Sequence, residues 1–329
     1  MKPTARNPPR TEGIVDLKSD VESRLQLVTS TYPSTIWLFD VDDTLTDTAA
    51  MHRSAEPTVA ASLSKSIDPE VARNIASRFI SIFDDLLAVH QATTSTALNA
   101  ASEPLRKLQG RVQSCQKDIQ QRWRITKPFS REILLKIACE DFGILIEPFR
   151  LAKIADDYWQ YVSDNIQFIE DALELAKALA INQTPLYLIT SSDARFQLKG
   201  NGQFDYDPEY SRRFKHNRLS KLRKHGVMFR DAIIGDPIDK PDTRYYDSVF
   251  SAIEKDLGRT VSPQNVVVVG DSYRSDIETL ETEKRLGLGL YFRRGKKAYV
   301  KSDTVVAIGN LGPVTELVND LPLTPNVHH

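Results

Sequence analysis

Four consecutive valines, Val266 to Val269, constrain the fold of this chain more than any other stretch. A strand with no polar residue on either face belongs in a sheet covered on both sides, the setting of parallel sheets flanked by helices. Similar short apolar runs occur at Ile36-Trp37-Leu38-Phe39, Leu186-Tyr187-Leu188-Ile189, Ala232-Ile233-Ile234, Leu288 to Phe292 and Val305 to Ile308. Past residue 186 they alternate with helical segments such as Asp247 to Leu257. That alternation implies βαβ units and a parallel sheet.

The first of these strands is separated from the others by a long block of helical texture. Asp68-Pro69-Glu70 supplies an N-cap, a first-turn proline and an early acid, and opens a helix through Phe79, Ile82 and Leu86. Further helices are expected from Glu103-Pro104 to about Trp123, from Ser130-Arg131-Glu132 to a stop at Gly143, from Pro148 through Val162, and over Glu170 to Ala180. The block therefore leaves the sheet after its first strand and returns to it. The expected organisation is an N-terminal extension over 1–33, partly disordered, with a helix over Ile14 to Val28; an α/β core over 34–50 and 181–321; an all-α insert over 51–180; and a disordered tail over 322–329. Within the core, 195–226 reads as a hairpin turning at Asn201-Gly202 followed by a basic helix.

Several function classes fall away on composition. Lys and Arg number 43 against 44 Asp and Glu, so no overall charge draws the chain to nucleic acid or an acidic membrane surface. The two cysteines, Cys115 and Cys139, form no CxxC pair and read as buried thiols on helices in a reducing compartment. No apolar run approaches the roughly 20 residues of a membrane span. The N-terminus lacks a charged-then-apolar signal pattern, so a cytoplasmic location is expected. The oligomeric state is not legible.

Polar groups of complementary kinds stand at the strand ends. The first strand ends in Asp40-Val41-Asp42-Asp43-Thr44, the second in Thr190-Ser191. Lys240-Pro241-Asp242 precedes a helix, and the valine strand runs into Gly270-Asp271-Ser272 with Asp276 one helical turn on. Ligands of open α/β sheets bind outside these carboxyl ends. A carboxylate there can attack phosphorus, a second can carry protons, and a lysine and a hydroxyl can hold phosphoryl oxygens. Converging carboxylates need a cation between them, and oxygen ligands of this kind suit Mg²⁺.

The set resembles the haloacid dehalogenase-like hydrolase superfamily, whose hallmarks are DxDx[TV], a Thr or Ser ending the second strand, a Lys before a helix, and GDxxxD. The resemblance covers 36–48 and 182–317. It implies a Rossmann-like core with the insert as a C1 cap that closes the site and selects substrate. It further implies Asp40 as nucleophile, Asp42 as acid/base, and Thr190, Ser191 and Lys240 as phosphoryl-binding groups. The Asp40 side chain, the Asp42 carbonyl and Asp271 would hold Mg²⁺, with Thr44 and Asp276 in support, Asp276 positioning Lys240 or a metal-bound water. Family dehalogenases lack the second aspartate, so Asp42 favours a phosphatase acting on a small phosphorylated metabolite.

The same scaffold also supports phosphomutases, which often carry DxDG where this chain has Asp43, and phosphonatases, which need a cap lysine for a Schiff base. Lys65, Lys107 and Lys117 are cap lysines, with none singled out. A non-catalytic binding or scaffolding subunit is the reading from another class, and the complete set of catalytic positions argues against it. His52 and Arg53 read as exposed loop residues, and the basic helix as a solvated face, with Arg212 or Arg213 brought to an anionic substrate as the alternative reading.

Overall fold

The structure, a computed structural model, describes residues 23, 24, 26, 35–91 and 103–320. The expected disordered lead and tail lie outside the described residues, as does all of the expected first helix except Ser23, Arg24 and Gln26, which are helical.

Seven strands form the main sheet: β1 (Ile36–Asp40), β2 (Leu186–Ser191), β5 (Ala232–Gly235), β6 (Val266–Gly270), β7 (Leu288–Phe292), β8 (Tyr299–Val300) and β9 (Val305–Ile308), in the order β5-β2-β1-β6-β7-β9-β8. All pairs are parallel except the edge pair β8–β9, whose two-residue strand β8 the sequence did not announce. β1 lies inside the sheet between β2 and β6, with Trp37 opposite both Leu186 and Val267. Three of the strand ends that carry candidate residues, those of β2, β1 and β6, are thus direct neighbours.

The pleat divides the apolar residues between two layers. Trp37, Phe39, Val267 and Val269 face one cluster with α8 (Glu170–Ile181) and α12 (Gly312–Asn319). Ile36, Leu38, Val266 and Val268 face the other, with Tyr246, Val249 and Ile253 of α10 (Thr243–Leu257). This is why four valines in a row are needed: each face of β6 is covered, and each valine buried contributes roughly 1.5–3 kcal/mol.

The insert contributes α1 (Thr48–Ser54), α2 (Glu56–Leu63), α3 (Pro69–Gln91), α4 (Glu103–Ser114), α5 (Lys117–Trp123), α6 (Arg131–Asp141) and α7 (Pro148–Asp164). The α3 start is as the sequence predicts: Asp68 accepts from the amides of Glu70 and Val71 at 2.8 and 3.2 Å. These helices bury a separate cluster that includes Phe79, Ile82, Ile133, Ile137 and Tyr158. Cys139 is buried there and its thiol is pushed up to about 12 by that burial, whereas Cys115 is only half-buried.

Two boundaries differ from expectation. α8 was assigned to the insert, yet Ala172, Leu175 and Leu179 pack on Trp37 and Phe39, so it covers the sheet as a core helix. Its composition resembles that of the cap helices, and only the tertiary partner tells them apart. The hairpin β3 (Phe196–Leu198) and β4 (Phe204–Tyr206) was assigned to the core, yet Phe196, Phe204 and Tyr206 join the cluster of the insert. The helix that follows, α9 (Pro208–Ser220), returns to the core through Leu219. Among the described residues, no helix is long and apolar enough to cross a membrane.

Candidate active site

β1 ends in a tight loop that separates its two aspartates. The amides of Leu45 and Thr46 return to the Val41 carbonyl at 3.0 and 2.9 Å, and the Asp43 amide to the Thr46 carbonyl at 2.8 Å. Asp43 takes the left-handed conformation, φ +62°, that closes the turn. Asp40 stays buried at the sheet, 4 % exposed, while Asp42 is half-buried and turned away to other partners.

Asp40 accepts from the Lys240 ammonium at 2.6 Å, and the same ammonium reaches Asp276 at 2.7 Å. Asp271 completes the group: Asp40, Asp271 and Asp276 each bring a carboxylate oxygen within 4.8 Å of the others. The Asp271 amide donates to the Thr44 hydroxyl at 2.9 Å, which fixes the start of this loop against β1. Gly270 is required here because a Cβ would stand 2.5 Å from the Cβ of Asp276. Burial raises the Asp40 carboxyl, and the nearby Asp276 and Asp42 add to the effect against the opposing pull of Lys240. Burial, Asp40 and Asp276 likewise raise Asp271 well above the ordinary carboxylate range. Three carboxylates are crowded where one ammonium pairs with two of them, Asp40 and Asp276, a surplus of negative charge on hard oxygen donors that fits a divalent cation such as Mg²⁺.

Asp42 is not part of this group through its side chain. Its Oδ1 accepts from the Thr48 hydroxyl at 3.0 Å, and its Oδ2 from Thr190 at 3.3 Å and from the Lys215 ammonium at 2.7 Å. Lys215 lies on α9, is 1 % exposed, and also meets Asp193 at 3.1 Å. Arg218, one turn on, grips Asp193 with two bonds of 2.9 and 2.8 Å and stands 3.9 Å from Asp42. Although burial works against it, Lys215 and then Arg218 hold the Asp42 carboxyl far below its usual range. The two aspartates of one motif therefore sit in opposite electrostatic settings.

The remaining expected residues fall around this centre. Thr190 ends β2 with its hydroxyl on Asp42, while the Ser191 hydroxyl is turned to Asp239 at 2.9 Å. Asp239 also accepts from the Lys240 amide at 2.8 Å, and thereby orders the loop that carries Lys240. Lys127, between α5 and α6, reaches across to Asp239 at 2.9 Å and to Asp236 at 3.7 Å, so the insert is docked over the strand ends.

Sequence reasoning missed Lys215, Arg218, Asp193 and Lys127. The basic helix is not the expected solvated face: Ser211, Lys215, Arg218 and Leu219 form its buried side. Its signal was present in the spacing, since the positions that should carry an apolar stripe carry cations. Arg212 bonds the Asp236 carbonyl at 2.6 Å, and Arg213 is exposed. His52, expected in an exposed loop, is instead buried against Phe79, Phe83 and Tyr158. Burial and Arg131 keep it well below the ordinary histidine range, hence neutral. Arg53 is exposed and paired with Asp84 at 3.0 Å.

Lys215→Met is expected to lower kcat by on the order of 10²-fold with little change in KM, since the lysine acts through Asp42. Lys215→Arg should recover part of the loss. Steady-state kinetics on the three proteins check this, and an unchanged kcat for Lys215→Met would remove the lysine from the mechanism.

A family model described as haloacid dehalogenase-like hydrolase matches residues 36–282. Several solved structures are similar to this chain. One, assigned as a HAD-hydrolase, is YfnB from Bacillus subtilis bound to magnesium, with 17% identity and a TM-score of 0.50 over 87% of this chain and 98% of that one. A HAD phosphatase from Thermococcus onnurineus shows 18% identity and a TM-score of 0.44 over 86% and 97% of the two chains. A protein assigned as a beta-phosphoglucomutase from Thermotoga maritima shows 17% and 0.46 over 86% and 98%. No match was found among proteins with curated descriptions.

Proposed function

The chain belongs to the haloacid dehalogenase-like hydrolase family, and from that premise we propose that it is a Mg²⁺-dependent phosphatase hydrolysing a small phosphomonoester through Asp40. The observation that carries this reading is the second carboxylate. Asp42 stands apart from the nucleophile with cations of its own, which makes it a separate proton carrier at the same strand end.

In this mechanism a carboxylate oxygen of Asp40 attacks phosphorus, and the ester P–O bond breaks with its electron pair on the leaving oxygen. Asp42 supplies the proton to that oxygen. The negative phosphoryl group beside Asp42 opposes the pull of Lys215 and Arg218 and restores its affinity for the proton. Water then attacks the same phosphorus, Asp42 takes the water proton, and the bond to Asp40 breaks to release phosphate and the free carboxylate. Thr190 and Lys240 hold the phosphoryl oxygens, and each is already poised on a catalytic aspartate. Asp40 and Asp271, with the Asp42 carbonyl, are the residues that would hold Mg²⁺, and Asp276 anchors Lys240 beside them. When bound, Mg²⁺ supplies charge neutralisation for the carboxylates and the phosphoryl group.

The phosphonatase reading loses ground for a specific reason. Lys127 is the cap lysine at the strand ends, and, against the effect of burial, Asp239 and Asp236 hold its ammonium protonated. A protonated amine has no lone pair with which to attack a carbonyl and form a Schiff base. Lys65 and Lys107, other cap lysines, are exposed.

The test is phosphate release over a panel of small phosphomonoesters, with Mg²⁺ and with a chelator. Release with Mg²⁺ that falls at least about 10²-fold on chelation is expected. No release from any ester, or release indifferent to chelation, would contradict the proposal.

A further inference from the structure

The seam between cap and core holds a second group of buried cations. Lys215, Arg218 and Arg195 each meet carboxylates, Arg195 bonding Glu132 at 2.6 Å and Asp156 at 2.7 Å. Arg131 differs. It is 6 % exposed, its Nε donates to the Tyr158 hydroxyl at 3.0 Å and its Nη1 to the Phe129 carbonyl, and its guanidinium lies 4.3 Å over the Phe83 ring. Among the described residues, no carboxylate lies within ion-pair distance of it. Stacking on an aromatic ring returns only part of the cost of burying an unpaired charge.

Two unsatisfied donors accompany this cation. The indole N–H of Trp159 is buried with no acceptor among the described residues, and so is Nη1 of Arg195. The guanidinium carbons of Arg131, Arg195 and Arg218 stand 5.6, 6.0 and 5.6 Å from the centroid of the Trp159 ring. Helices α6 and α7 of the cap and the segment after β2 thus bring one unneutralised cation and two unpaired N–H groups around a single indole. Buried donors without acceptors are costly, and a guest rich in acceptor oxygens removes the cost. Arg218 links the group to the catalytic centre, since the same guanidinium stands 3.9 Å from Asp42.

We propose that the substrate carries a second oxyanion, a carboxylate or a phosphate, at the end away from the scissile ester, and that Arg131, Trp159 Nε1 and Arg195 Nη1 receive it as the cap closes. The inference rests on the phosphatase reading of Asp40 and Asp42. It places recognition on charge-assisted bonds that a neutral alcohol cannot make.

The experiment compares kcat/KM, with Mg²⁺, for three short alkyl phosphates over a range of spacer lengths: one ending in a hydroxyl, one in a carboxylate, one in a second phosphate. At least one charged series is expected to exceed the hydroxyl series by on the order of 10²-fold, and the better of the two identifies the oxyanion. Trp159→Phe, which keeps a ring and removes the N–H, should cut that preference several-fold. Arg131→Met should erase it. Equal turnover of charged and neutral esters at every length, or variants that slow all three alike, would overturn the inference and leave the phosphatase reading standing. No turnover of these esters or of para-nitrophenyl phosphate would overturn the phosphatase reading, and the inference with it.

Discussion

Asp40→Asn is expected to abolish phosphate release, by on the order of 10⁴-fold or more, while the protein stays folded. The loss follows from removing the carboxylate at the β1 end that touches Lys240 and shares the acidic cluster with Asp271. The retained fold follows from the charge balance. Asn occupies the same space, Lys240 keeps Asp276 at 2.7 Å, and the repulsion that raises Asp271 is relieved by one charge. Phosphate release and a urea unfolding curve, run on the same preparation, check both halves. Retained turnover would remove Asp40 from the mechanism, whereas an unfolded variant would mean that its charge is structural.

Lys240→Met has the opposite profile, with activity and stability falling together. Its ammonium is buried between Asp40 and Asp276, and all three side chains are almost wholly screened from water. Removing one partner of such a set leaves buried charge unpaired, at a cost of roughly 3–5 kcal/mol. Against a typical stability of about 5–15 kcal/mol, that is a large fraction. Loss of a cation at the phosphoryl oxygens lowers kcat by a further 10²–10³-fold, on the order seen when one preorganised donor is removed. The carboxylates left behind should bind Mg²⁺ with more benefit than in the parent protein, because the ion then meets charge that nothing else offsets. The urea midpoint is therefore expected to drop, and added Mg²⁺ to recover more of it in Lys240→Met than in the parent. An unchanged midpoint would mean that the crowding of Asp40, Asp271 and Asp276 costs little.

The strands and the strand-end residues were legible because each follows from a local rule. A doubly covered strand must be apolar throughout, as Val266–Val269 is, and Asp40, Thr190 and Asp271 sit where such strands stop. The cap helices were legible from caps such as Asp68. What was not legible depends on partners distant in sequence. Lys215 reads as a solvated lysine until Asp193 and Asp42 are placed beside it, 22 and 173 residues away in sequence. α8 has the same alanine- and leucine-rich texture whether it packs on the cap or on Trp37. His52 looks polar in sequence and becomes a core residue once Phe79, Phe83 and Tyr158 enclose it. The reaction centre is thus written in short motifs, while the groups that tune it, and those that surround Trp159, come from helix faces whose inward side is set by tertiary packing.

The central claim is that Asp40 carries the phosphoryl group during turnover. Asp42→Asn should let that species accumulate, since para-nitrophenolate leaves without a proton donor while the attacking water loses its base. Acid quenching of this variant during turnover of para-nitrophenyl phosphate, followed by mass analysis of the peptide containing Asp40, tests the claim directly. The account predicts one phosphoryl group on Asp40, absent in the Asp40→Asn, Asp42→Asn double variant. Release of para-nitrophenolate with Asp40 unmodified at every time point, or a phosphoryl group on another residue, would contradict it.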